Sequence, residues 1–402
     1  MINITDPMIT APKGFKAAGV KAGIKKSGRE DLAIIYSTVP AAGAAVFTTN
    51  VMAAAPVIVS RRNIEGGKVS AVVVNAGCAN ACTGDQGLVD AEAMVHKTAE
   101  LLGINNKEVV VASTGIIGVQ LPMDKVEKGI EKAVNALSVD GHNAARQAIM
   151  TTDTFPKSAA INFMFGETKI TMAGMAKGSG MIHPNMATML GFVTTDAAIT
   201  PELLKKALTD AVNVSFNMVT VDGDTSTNDM VVVMANGLAG NKLIDSAEMP
   251  EYINFSIALR ELCIVLAKMV ARDGEGATKF LEVKVKGAVT SDDAKKVAMT
   301  IAKSPLVKTA FFGQDPNWGR IICAVGYSEA QVIPDKTSLF IGDVKVVEGG
   351  LPLKFDEKML RGVMGEHDIV VTVDLGLGQE EATVWTCDFS YEYVKINGEY
   401  HT

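Results

Sequence analysis

The sequence is short of cysteine, of histidine and of net positive charge, and each shortage removes a class of function. Five cysteines, Cys78, Cys82, Cys263, Cys323 and Cys387, lie scattered over 402 residues. An odd number spread over a long chain does not build a disulfide framework. Cys78 and Cys82 stand close together in "NAGCANACTG", but no second Cys/His pair follows at zinc-site spacing. They read as small thiols in a Gly/Ala-rich turn. Formal net charge is -7, which argues against a general nucleic-acid binder, whose footprint is basic. No long uncharged apolar run is present. The most apolar stretch, "YINFSIALRELCIVLAKMVARDG", carries Arg260, Glu261, Lys268 and Arg272, too many charges for a membrane span. The first residues lack the apolar core of a signal peptide. The expectation is a cytoplasmic protein that engages neither membrane nor nucleic acid.

Familiar catalytic motifs are missing too. "AKGSG" (176–180) does not have P-loop spacing, and no G-x-G-x-x-G joins a strand to a helix. "DGDTSTND" (222–229) fails as a calcium loop, because Thr227 stands where the sixth-position glycine belongs. It reads as a polar turn whose short side chains bond the backbone, with a structural or oligomer-contact role left open. The histidines are His96, His142, His183, His367 and His401. His96 falls on a helix face and His142 at a helix start, and neither has a G-x-S-x-G elbow to serve. A Ser-His-Asp enzyme is therefore not indicated.

What is present is a globular composition, 48% hydrophobic and 21% charged, long enough for more than one ordinary domain. "AVVVNAG" (71–77) and "VVVAST" (109–114) have buried-strand length. Between them Leu88, Ala91, Val95 and Leu102 share one helical face, and Gly103 is a stop signal. Met123, Val126, Ile130, Val134 and Leu137 form a second amphipathic pattern. "KSAAINFMF-GET-KITMAGMAK" predicts a hairpin turning at Gly166, whose open end brings Lys157 and the preceding hydroxyl-rich "TTDT" (151–154) close to Lys177. Thr200 and Pro201 fit the start of a helix reaching about Phe216. A long, largely buried helix is expected at about 250–272. Leu281, Val283 and Val285 alternate with Glu282, Lys284 and Lys286, a half-exposed strand. A further helix is expected at "AKKVAMTIAKS". "DIVVTVDLGLG" and "EATVWTCDFSYEYVKING" are expected to close the chain as strands. Packed sheets with helices outside satisfy this pattern, and so does a conventional three-layer α/β fold.

One stretch carries the chemistry. "KGSGMIHPNMATMLGFVTTD" (177–196) is a Gly-rich loop that turns into an apolar strand at Thr188. Without a usable histidine, a hydroxyl nucleophile needs another base. An N-terminal threonine carries its own α-amine, whose pKa of about 7.7–8.0 leaves a substantial neutral fraction near pH 7. A cation such as Lys177 lowers it further. Inside a chain the same nitrogen is an amide and no base. Cleavage between Ala187 and Thr188, by attack of Thr188 Oγ on the Ala187 carbonyl, would activate the nucleophile. His183 lies in this loop as a candidate aid to the cut, or as a loop-packing group.

The segment resembles the processing site of the glutamate N-acetyltransferases, or ornithine acetyltransferases, of arginine biosynthesis. "STGIIG" (113–118), "TTDTFPK" (151–157), "VDGDTSTND" (221–229), "FFGQDPNWGRI" (311–321) and "VKINGEYHT" (394–402) resemble that family in the expected order, over nearly the whole chain. The resemblance implies an α-β-β-α sandwich similar to the β-aminopeptidases and arranged like N-terminal-nucleophile hydrolases. It implies self-cleavage into an α chain, 1–187, and a β chain, 188–402, held together as an α2β2 heterotetramer. It implies an acyltransferase that moves the acetyl group of N2-acetyl-L-ornithine to L-glutamate through acetyl-Thr188, with no metal or organic cofactor. Some family members also use acetyl-CoA as donor, and the sequence does not decide that point.

By the same resemblance Thr188 is the catalytic nucleophile, and Thr114 and Gly115 form the oxyanion hole. Thr151 or Thr152, Lys177, Thr188, Glu275, Asn397 and Thr402 bind substrate. Lys177 suits a substrate carboxylate and Glu275 an ammonium group. Two other readings stand beside this one: an N-terminal-nucleophile amidohydrolase or aminopeptidase that passes the acyl group to water, and a non-catalytic single-chain amino-acid-binding protein.

Overall fold

The protein is described here by a computed structural model covering residues 3–5, 8–183 and 189–399. Ala187, Thr188 and Thr402 lie outside the described residues. Two β-sheets pack face to face. One has the strand order Asn3–Thr5, Lys157–Phe165, Thr168–Lys177, Leu190–Thr195, Met230–Ala235, Ala42–Phe47. The other is four-stranded, in the order Phe15–Val20, Leu32–Ser37, Ala71–Cys78, Val109–Ile116. Leu190–Thr195 and Met230–Ala235 are buried at every position. Strands covered on both faces must be apolar or small throughout rather than alternating, and these two are.

The shared core between the sheets draws Met175, Leu190, Phe192, Met230 and Met234 from one and Val72, Val74, Val110 and Ala112 from the other. Helices Ala55–Asn63, Gly84–Leu102 and Met123–Asn135 cover the outer face of the four-stranded sheet. Helices Pro201–Asn213 and Pro250–Arg272 cover the outer face of the six-stranded one. The expected α-β-β-α sandwich is thus present. Ala91 and Val95 are buried on the helix read from their spacing, and Gly103 ends it at φ 67°. The hairpin turns at Gly166, φ 57°, with Phe165 opposite Thr168.

A second six-stranded sheet extends the molecule, in the order Leu351–Pro352, Val344–Glu348, Ser338–Ile341, Asp368–Asp374, Phe280–Ala288, Glu380–Cys387. Its apolar face joins the same core as helix Pro250–Arg272. Leu281, Val283 and Val285 are buried as the alternation requires. On the outer face Glu282 bonds Lys268, Lys284 and the Trp385 indole N–H, each at 2.9 Å.

Two expectations are corrected. The last strand stops at Cys387, and Tyr391–Glu399 is a helix. Asp388 ends the strand by accepting from the N–H groups of Thr278 and Lys279 and from the Thr278 hydroxyl. Ser390 Oγ then accepts from the Glu392 N–H at the first turn of the helix. "YEYVKI" alternates, but short alternation also fits a helix that lies on the surface. The helix that opens at Pro201 ends at Asn213, and a separate 3-10 turn, Phe216–Met218, follows. Among the described residues no helix is long and apolar enough to cross a membrane.

Candidate active site

The ends of three neighbouring strands define the floor of the site. Lys177 is opposite Leu190, and Leu190 is in register with Met230. The Met230 N–H donates to the Met189 carbonyl at 3.0 Å, so the strand after the proposed cut is held from its first described residue. Above this floor is the end of strand Val109–Ile116 with Thr114 and Gly115. Gly115 has φ +130°, and a Cβ there would come within 2.4 Å of the Gly77 carbonyl carbon. Only glycine fits, because the parallel strand Ala71–Cys78 passes in register beside it.

Lys177 Nζ donates to Thr114 Oγ1 at 2.9 Å. Burial pushes the Lys177 ammonium below its ordinary range, against the opposing pull of Asp153 and Asp229. Asp153 fixes this corner. Its carboxylate accepts from Lys157 Nζ at 2.6 Å, the Gly178 N–H at 2.8 Å and the Thr151 N–H at 3.0 Å. Lys157 also pairs with Asp273 at 2.5 Å, and Asp273 accepts from the Thr154 N–H. Burial raises the Asp153 pKa, but Lys157, Lys177 and the hydrogen bonds together outweigh it and hold it at about 2. One buried ionic cluster therefore joins the 151–154 loop, the end of the hairpin and the last turn of the long helix.

Beyond that helix Glu275 is 7% exposed and accepts from Asn397 Nδ2 at 2.9 Å. The Glu275 N–H donates to the Ser179 carbonyl at 3.0 Å. Gly180 lies against the Glu275 carboxylate so closely that a Cβ would come within 2.2 Å of it. Asp222 accepts from the N–H groups of Met181, at 2.6 Å, and Ile182, at 2.9 Å. His183 is pushed down to about 4 by burial, with the nearby Lys303 adding to the effect. Among the described residues its Nδ1 is buried without a hydrogen-bond partner.

Thr114, Gly115, Thr151, Thr152, Lys177, Glu275 and Asn397 line one cavity of about 160 Å³, together with Ser226, Thr227 and Asn228. Seven sequence-predicted site residues thus meet in one place. The polar turn at 222–229 is part of it, which the sequence reading did not foresee. Lys157 stands beside the end of the hairpin as its turn predicts, but its ion pairs with Asp153 and Asp273 were not foreseen. Nothing in the sequence links Lys157 to Asp273, which lies 116 positions away. A larger groove of about 870 Å³ runs along strand Ala42–Phe47 beside Arg61 and Lys205, and holds none of the predicted residues.

The chain was compared with known proteins. The ArgJ family profile matches residues 16–402. The arginine biosynthesis bifunctional protein ArgJ of Symbiobacterium thermophilum is 54% identical over 396 residues, 98% of either chain. The protein of the same name from Caldanaerobacter subterraneus is 52% identical over the full length of both. Among solved structures, the arginine biosynthesis bifunctional protein ArgJ of Bacillus halodurans is 47% identical with a TM-score of 0.51, covering 52% of this chain and 98% of its own. By profile, length and identity, the chain belongs to the ArgJ family.

Proposed function

We propose that the cavity is where this chain carries out its family's chemistry, with Thr188 as the carrier of the acetyl group. As an ArgJ protein the chain is an acetyltransferase of arginine biosynthesis. The observation that carries the site assignment is the Lys177–Thr114 bond beside Gly115, at the mouth of the strand that Met189 opens.

Thr188 Oγ first attacks the Ala187 carbonyl and displaces its own amide nitrogen, and water hydrolyses the resulting ester. The products are an Ala187 carboxylate and a threonine with a free α-amine. In turnover the amine takes the Oγ proton while Oγ attacks the acetyl carbonyl of N2-acetyl-L-ornithine. The Thr114 O–H and Gly115 N–H face the developing oxyanion. The C–N bond breaks, the amine returns the proton to the leaving nitrogen, and ornithine departs. The amine of L-glutamate attacks acetyl-Thr188 through the same oxyanion and restores the hydroxyl. Lys177 receives a substrate carboxylate and Glu275 an ammonium group, with Thr151 or Thr152, Asn397 and Thr402 completing the contacts. A volume of about 160 Å³ matches a small amino acid, and pockets for drug-sized ligands are about 300–1,000 Å³.

The Bacillus halodurans chain supports the cut, because 98% of it spans only 52% of this one, as half of a divided protein does. The α and β chains then pair as α2β2. The relatives are named bifunctional, and the second activity proposed is acetyl-CoA as donor to glutamate.

Denaturing mass analysis of the purified protein should give two fragments, one ending at Ala187. Thr188→Ala should stay whole and inactive, and Thr188→Ser should still cleave. With acetylornithine and glutamate, acetylglutamate should equal the ornithine released. Free acetate as the main product would favour a hydrolase, and a normally cleaved Thr188→Ala would remove the mechanism. Acetyl-CoA plus glutamate without acetylornithine tests the second activity.

A further inference from the structure

The two facing sheets meet mainly through apolar side chains, and apolar contact is non-directional. It does not by itself fix where one sheet's edge stands relative to the other's. The chemistry proposed above needs that distance fixed, because the nucleophile precedes strand Leu190–Thr195 of one sheet by two residues in the sequence and the oxyanion donors end a strand of the other. Asn228 spans this gap. It is 5% exposed and lies two residues before Met230, whose register partner is Leu190. Two residues before Leu190 in the sequence is Thr188. From that position Asn228 Nδ2 donates to the Ala79 carbonyl at 2.5 Å and to the Ser113 carbonyl at 2.9 Å. Ser113 is bonded to Thr114. The Thr227 hydroxyl donates to Asn228 Oδ1 at 2.6 Å, which orients the amide, so both of its N–H groups and its oxygen are engaged.

We infer that Asn228 is a positioning residue that sets the oxyanion donors of Thr114 and Gly115 at working distance from strand Leu190–Thr195, which follows Thr188 in the sequence. The inference rests on the acetyl-transfer reading. It accounts for part of the polar turn at 222–229, which belongs to no familiar motif. Among the described residues the Asn228 side chain bonds to Ala79, Ser113 and Thr227. It acts through the strand end that carries Thr114.

Asn228→Asp keeps the shape and turns an acceptor oxygen toward two carbonyl oxygens. The expected result is a kcat loss of roughly 10²-fold, comparable to loss of one oxyanion donor, with KM for acetylornithine and glutamate changed less than about threefold. Residues that act as a unit are non-additive. In a Thr114→Ala background the Asn228→Asp change should therefore cost no more than about threefold further. A role confined to stability predicts the opposite: a lowered Tm, unchanged kcat in the folded fraction, and no coupling to Thr114. Either an unchanged kcat or losses that multiply across the pair would overturn the inference. Should Asn228→Asp not fold, Thr227→Val removes only the orienting bond, and a kcat loss of about five- to tenfold at unchanged KM is expected. Activity in Thr188→Ala would overturn the acetyl-transfer reading, whereas the Asn228–Thr114 coupling, read in the enzyme that keeps Thr188, tests this inference separately.

Discussion

Thr114 accepts from Lys177 through its hydroxyl oxygen, which leaves its own proton free to donate. A single residue is thereby held by one partner and aimed at another. Replacing it with valine should cost about 10²–10³ in kcat, the usual loss for one oxyanion donor, with little change in KM. Asp153 gives a prediction in stability. Its folded pKa of about 2 lies below the ordinary 3.8. The contribution is complete above about pH 4 and is lost as pH falls toward 2, and it amounts to about 2 kcal/mol. Acid-unfolding curves of the wild type and Asp153→Asn should differ by a segment in that window. His183, pushed down to about 4, should remain neutral from pH 5.5 to 8, and its ring NMR signals should not titrate there. A midpoint near 6.5 would mean that the ring is not buried as described.

At the scale of elements, site residues are carried on ends of strands and helices whose interiors are locked by burial. Gly180 joins two of these ends, since its Cα faces the Glu275 carboxylate that follows the long helix. In Gly180→Ala the carboxylate must move, and KM for the amino-acid substrates should rise more than kcat falls. An effect confined to kcat would count against Glu275 as a binding group. The helix Pro250–Arg272 supports Glu275 and packs on both six-stranded sheets. Leu262 is fully buried at its centre. Leu262→Ala should cost about 2–5 kcal/mol in denaturant unfolding, the range for a core leucine.

For the whole molecule, the proposed cut falls in sequence between two neighbouring strands of one sheet, to which both pieces contribute. Leu190–Thr195 pairs with Thr168–Lys177, and Met230–Ala235 pairs with Ala42–Phe47. Residues before and after the cut thus share two ladders and one core. Separating the pieces means opening the sheet, so they should co-purify under native conditions and part only in denaturant, in a single transition with loss of secondary structure. Release of either piece intact and folded by salt or dilution would contradict this arrangement.

Local pattern was enough for the periodic elements. Val95 and Gly103 marked a helix face and its end, Gly166 marked a hairpin, and Leu281, Val283 and Val285 marked a half-buried strand, because those signals depend only on neighbours a few residues away. The order of the motifs marked the family. Which strands lie side by side, the second six-stranded sheet, and the helix at Tyr391–Glu399 were settled only in the folded chain, where short apolar runs find their partners. The same holds for the joining of Lys157 with Asp273, and of Asn228 with Ser113. A buried charge or amide is tolerable only with its partner, and sequence does not show a partner that arrives from more than a hundred residues away.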